Sequence, residues 1–102
     1  MEQTITALKV QRRNPNRINV YLDGEYAFGL SRLVAAWLSV GQKLSDEKRV
    51  SLLHQDTVEV AYLRALNLLS YRARTRAEIE KRLIDKGFTS EDVEVVLERL
   101  VQ

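Results

Sequence analysis

The hydrophobic period of this chain changes once, at Ser31, and that change limits the fold more than any other feature. Before it, "TALKVQR" and "RINVYL" carry β-branched and apolar residues in near alternation, the spacing of half-buried strands. After it, apolar residues recur at helical spacing. The predicted class is therefore α+β: a small N-terminal three-stranded β-meander with a short helix, followed by a predominantly helical part that ends in a three-helix unit.

Turn chemistry sets the strand boundaries. "NPN" at 14–16 separates the first two runs, and Asp23-Gly24 in "YLDGEYAF" is a strong hairpin signal, since both residues tolerate the positive φ of a type I′ turn. That turn predicts Leu22 opposite Glu25, Tyr21 opposite Tyr26 and Val20 opposite Ala27, with the two tyrosines as a cross-strand pair. "SRLVAAWLSVG" then offers Ser31 as an N-cap, apolar Leu33, Val34, Trp37 and Leu38, and Gly41 as a stop. A hairpin sheet alone is marginal in water, so Trp37, with Leu33 and Leu38, is expected to be buried against the meander.

"LSDEKRVSLLHQD" begins a second helix, with Ser45 as cap and two acids in the first turn; the sequence leaves open whether it runs on or breaks near Asp56. From Thr57 three consecutive helices are predicted. The first has Val58, Ala61, Tyr62, Ala65, Leu66 and Leu69 on one stripe. The second starts with a capping box, Thr75 and Glu78, and stops at Gly87. The third is capped by Thr89 or Ser90 and faces inward with Val93, Val96, Leu97 and Leu100. The expected divisions are 1–44, the meander and short helix; 45–56, a connecting helix; and 57–102, the three-helix unit.

With 102 residues, 45% hydrophobic and 29% charged, the chain suits one small domain or two subdomains sharing a core. No apolar run approaches the ~20 residues that cross a bilayer, and "MEQTITALKV" is acidic then polar, so a soluble protein without a secretion signal is expected. The absence of cysteine excludes disulfides and thiolate metal sites. Enzymatic chemistry has little to draw on. The sole histidine, His54, is read as an ordinary surface residue; the glycines at 24, 29, 41 and 87 are turn and cap residues; and the acid pairs Asp46-Glu47 and Glu91-Asp92 lie in first turns of helices, where the dipole favours them. No enzyme, metal or cofactor is expected.

A net charge of +2 is too mild to name a partner, but its distribution is informative. Residues 71–90 carry Arg72, Arg74, Arg76, Lys81, Arg82 and Lys86 against Glu78, Glu80 and Asp85, and residues 91–102 are acidic with Arg99 alone opposing. If the segment before Arg76 is extended, Arg72, Arg74 and Arg76 point to one side and, with Tyr71 beside them, could meet phosphates or an acidic protein surface. The competing reading is a solvated connector, with Lys81 and Arg82 consumed by helix pairs to Asp85 and Glu78. Arg12, Arg13 and Arg17, around the polar tip with Asn14 and Asn16, are weaker candidates. Tyr21, Tyr26, Phe28 and Trp37 are read as core rather than as a base-stacking platform.

The run "ALNLLSYRARTRAEIEKRLIDKGFTSEDVEVVLERL", residues 65–100, resembles the three-helix repeat of the RecX regulatory proteins. The features that carry this are the Ala65-Leu66 pair, Arg72 and Arg74 at the connector, the Thr75 and Glu78 cap, Leu83, Lys86-Gly87-Phe88, and a last helix with Val96, Leu97 and Leu100. The head, "ITALKVQRRNPNRINVYLDGEYAFGLS", is similar to the N-terminal extension of many members. The resemblance implies a bacterial cytoplasmic, non-catalytic modulator of the RecA recombinase, acting in DNA repair, recombination and the SOS response. It implies binding along the groove of the RecA filament on single-stranded DNA, blocking growth or strand exchange and reducing ATP hydrolysis. The expected partner-binding set is then Tyr71, Arg72, Arg74, Arg76, Lys81, Arg82 and Lys86, with no membrane or small-molecule partner. Family members usually carry further repeats, and one repeat is expected to bind far more weakly than several in series. Two other readings remain: an independent nucleic-acid-binding module using residues 71–86, and a structural or self-association domain.

Overall fold

The computed structural model describes residues 1–101, which divide into two compact units, Met1–Asp56 and a second beginning at Thr57. In the first unit, strands β1 (Gln3–Val10), β2 (Arg17–Leu22) and β3 (Glu25–Ser31) form the predicted antiparallel meander. The turn between β2 and β3 is built as its residues require, with Asp23 at φ 51 and Gly24 at φ 87. Leu22 faces Glu25 and Tyr21 faces Tyr26, the tyrosine rings meeting edge to face at 5.9 Å and 78°. Beyond them the expected pairing of Val20 with Ala27 is corrected: a bulge leaves Ala27 out and sets Phe28 opposite Val20. The slip places Phe28, rather than Ala27, against the core that buries Val20.

The sheet has four strands, not three, in the order β3-β2-β1-β4. Strand β4 (Lys43–Leu44) pairs with Thr4 and Gln3, and the ladder continues through Gly41 N to Ile5 O and Ile5 N to Gln42 O, each 2.8 Å. Two residues are too few to show alternation, so its pairing could not be read from the sequence.

Between β3 and β4, helix α1 covers only Arg32–Ala35, with the Ser31 hydroxyl accepting from Val34 N as predicted. Here a sequence expectation fails. Ala35 is buried, with Val34 and Leu38 packed against the core, whereas Trp37 is 90% exposed and Leu33 60%. One short turn has a single inward stripe, and residues 34, 35 and 38 occupy it; positions 33 and 37, four apart, share the opposite side.

The core of this unit comprises Ile5, Val20, Leu22, Leu30, Ala35, Leu44 and Leu52. At its margin Asp56 is buried and accepts three bonds: both terminal nitrogens of Arg17 in a fork, at 3.1 and 3.2 Å, and Ser31 N at 2.6 Å. Arg17 thus points inward, not out from the turn tip.

Helix α2 (Asp46–Tyr71) answers the question left open at Asp56: it runs on. Neither Gly nor Pro occurs between Ser45 and Tyr71, and Asp46 and Glu47 occupy its first turn. One helix therefore covers what the sequence suggested as a connecting helix and the first helix of the three-helix unit.

In the second unit, α3 (Arg76–Asp85) and α4 (Ser90–Leu100) complete three helices around Ala61, Ala65, Ile79, Leu83, Val93, Val96 and Leu97. Ala61 and Ala65, both fully buried, present a small-residue stripe, while Leu66, expected beside them, is 39% exposed. Thr75 and Glu78 form the complete capping box, Gly87 follows α3 at φ +101, and Thr89 rather than Ser90 caps α4. The half-buried Tyr62 supports Arg99, whose guanidinium lies 3.7 Å over the ring and 2.7 Å from the buried Glu59 carboxylate.

Candidate interface for an anionic partner

The three alternate arginines do not form one free row. Each has an internal task set by the helix ends around it. Arg72 donates to Glu78 Oε2 at 2.9 Å and to Ala73 O at 3.2 Å. Arg74 Nε donates to Leu68 O at 3.1 Å, satisfying a carbonyl left without a partner where α2 stops. Arg76 pairs with Glu94 of α4 at 2.6 Å, so part of the acidic last helix neutralises part of the basic segment. Glu78 is the centre of this connector. Its carboxyl is held below its ordinary pKa first by the Thr75 backbone N–H and then by the Arg72 guanidinium.

Other cations gather along α3. A cleft of about 310 Å³ is lined by Arg64, Asn67 and Leu68 of α2 and by Arg82, Leu83, Asp85 and Lys86 at the end of α3. A second, open hollow of about 420 Å³ shares Arg82 and Asp85 and adds Arg72, Arg74, Glu78 and Lys81. Six cations and two carboxylates thus face the two hollows. Lys81 pairs with Asp85 at 3.1 Å, as helix spacing predicted, but Glu78 is taken by Arg72 and not by Arg82. Arg64, Arg82 and Lys86 are exposed and make no ion pair among the described residues. These three can meet an external anion without breaking an internal bond. Arg64 was missed in the sequence because it lies on α2, outside the basic run; the helical period that places it one turn from Asn67 and Leu68 was the available signal.

Of the remaining candidates, Tyr71 is 77% exposed at the end of α2, Arg76 lines neither hollow, and Arg12 and Arg13 are exposed in the β1–β2 turn. Tyr21 contacts Tyr26, and Lys9 lies 4.9 Å over the Tyr21 ring. His54 is exposed on α2. Among the described residues no group of three or more His, Asp or Glu is placed to hold a metal ion, and no helix is long and apolar enough to cross a membrane.

A small antiparallel sheet unit followed by a three-helix unit makes this an α+β protein of two parts, and comparison with known proteins supplies its family. The family model "Regulatory protein RecX N-terminal domain" matches residues 3–45, and "RecX, first three-helix domain" matches residues 61–100. The Regulatory protein RecX of Levilactobacillus brevis is 39% identical over 98 residues, 94% of this chain and 36% of that protein. The Regulatory protein RecX of Bacillus subtilis (strain 168) is 35% identical over 98 residues, 94% of this chain and 37% of that protein. A crystal structure of regulatory protein RecX superposes with a TM-score of 0.87 at 33% identity, over 96% of this chain and 49% of that one. The chain belongs to the RecX family. It spans a little over a third of the length of these two relatives, 36% and 37%, which are named as regulatory proteins.

Proposed function

We propose that the chain is a non-enzymatic regulator that binds the RecA recombinase filament on single-stranded DNA in the bacterial cytoplasm and mostly inhibits its recombinase, ATPase and strand-exchange activities. Family membership supports the regulatory role, and the observation that carries a binding site is the cleft with Arg64, Arg82 and Lys86 unpaired at its mouth. Unpaired guanidinium and ammonium groups on a rigid helix can form charge-assisted hydrogen bonds without the loss of internal ones. Glu78 and Asp85, already paired with Arg72 and Lys81, lower the net positive charge of the hollows and so weaken the pull on a continuous phosphate backbone, which favours a protein-coated strand over bare nucleic acid.

The test is the double variant Arg82→Glu with Lys86→Glu, assayed by co-sedimentation with RecA filaments on single-stranded DNA and by anisotropy on the bare oligonucleotide over a salt series. Filament affinity is expected to fall at least about tenfold, since like charges placed at an interface are costly. Both side chains are exposed and make no ion pair among the described residues, so the variant is expected to fold, which circular dichroism checks. Unchanged filament binding would refute the site. Tight, steeply salt-dependent binding of the wild-type chain to bare DNA would favour the independent nucleic-acid module.

A further inference from the structure

The segment from Arg32 to Val40 is amphipathic in an unusual sense, because its outward side is apolar too. Val34, Ala35 and Leu38 fill the core below, while Leu33 (60% exposed), Ala36, Trp37 (90%) and Val40 (62%) form an outer ridge. Trp37 is the only tryptophan in the chain. The ridge is held at both ends. Arg32 N donates to Asn16 O at 2.8 Å, Leu38 N to Ala35 O at 3.0 Å, and Gly41 N to Ile5 O at 2.8 Å. A preorganised apolar ridge loses little conformational entropy on docking, and tryptophan is the residue most enriched among those that dominate binding energy.

The charges beside the ridge select its partner. Residues 9–17 and 31–45 contain Lys9, Arg12, Arg13, Arg17, Arg32 and Lys43 and neither Asp nor Glu. Arg17 is occupied by Asp56, but Arg12, Arg13 and Arg32 are exposed, and the Arg32–Asn16 bond brings the turn that carries Arg12 and Arg13 to the start of α1. A second copy of this chain would oppose cations to cations across a two-fold axis, which disfavours self-association. Leu33 and Val40 suit aliphatic contacts and offer nothing to stacked bases, and one turn of helix is too short to lie in a membrane interface.

We propose that the Leu33-Trp37-Val40 ridge is a protein-docking surface, with the indole inserted into an apolar cavity rimmed by carboxylates on the protein component of the filament. This rests on the filament reading above and assigns the contact to the protein, not the DNA.

The single tryptophan allows a direct test. The chain is labelled with 5-hydroxytryptophan, excited apart from ordinary tryptophan, and titrated with RecA filaments on single-stranded DNA, with bare single-stranded DNA, and with anionic lipid vesicles. The emission is expected to move to the blue and acrylamide quenching to fall with filaments only. Trp37→Ala should weaken filament binding about thirtyfold and Trp37→Phe less, the scale of a dominant interface residue, while Val50→Ala, as exposed as Val40 at 62% but outside the ridge, should leave it unchanged. Binding by the Trp37→Ala variant equal to wild type, or filament binding with unaltered emission and quenching, overturns the ridge alone. A response to bare DNA, to vesicles, or to chain concentration overturns the choice of a protein partner. Absence of wild-type filament binding overturns the regulatory reading itself.

Discussion

Asp56 gathers three hydrogen bonds at the edge of the first unit's core, and its role was not legible in the sequence. Its partners lie 39 and 25 positions away, at Arg17 and Ser31, beyond the reach of periodicity or capping rules. Asp56→Ala leaves the Arg17 guanidinium and the Ser31 N–H without their acceptor and should cost about 3 kcal/mol, with Asp56→Asn costing less, as measured by urea unfolding followed by circular dichroism. Arg99→Ala strands the buried Glu59 carboxylate, but Arg99 is itself 36% exposed at its side chain, so a smaller loss of about 1–2 kcal/mol is expected. Double substitution with Glu59→Gln should recover part of that loss. The Glu78 pKa is lowered in the folded chain by the Thr75 N–H and then Arg72, so its contribution is present above the ordinary glutamate pKa and is lost as pH falls through the lowered folded value. Glu78→Gln should therefore lower α3 stability at neutral pH, leave it nearly unaltered at acid pH and so flatten the acid limb, read by amide exchange.

Elements were legible wherever their determinants are local. Ser31, Thr75 with Glu78, and Thr89 cap the helices they were expected to cap or bound, because a hydroxyl and a nearby N–H need no distant partner. Thr75→Ala removes half of the box and should cost about 1 kcal/mol, with fraying confined to the first turn of α3 in hydrogen exchange. The Asp23-Gly24 turn fixed the first two pairs of the hairpin, and the bulge at Ala27 escaped because it serves core filling further along the strand. Gly24 faces open space but has φ +87, so Gly24→Val should destabilise the hairpin by about 1–2 kcal/mol through backbone strain and not through a clash. Trp37 shows the limit of burial arguments. A large apolar residue near a sheet is most often inside, yet here Val34, Ala35 and Leu38 already fill the inward side and Trp37 falls on the other.

On the scale of the whole molecule, the α+β order of sheet first and helices second was readable from the change of period, and the family from motifs spread over both units. The proposed binding surface was not. The sequence suggested a row of arginines at 72, 74 and 76, whereas the folded chain gives each of them an internal acceptor and leaves Arg64, Arg82 and Lys86 for an outside anion, a set that appears only when α2 and α3 lie side by side. A single cleft of this kind binds weakly by itself, and a second contact through the ridge on the sheet unit would raise the effective concentration of the first. The central claim is regulation of a recombinase filament, and it is tested most directly by DNA-dependent ATP hydrolysis. Preformed RecA filaments on single-stranded DNA are titrated with the 102-residue chain while anisotropy follows the bare oligonucleotide. Inhibition at concentrations that leave bare DNA unbound is the predicted result; undiminished hydrolysis with a folded chain in excess would contradict it.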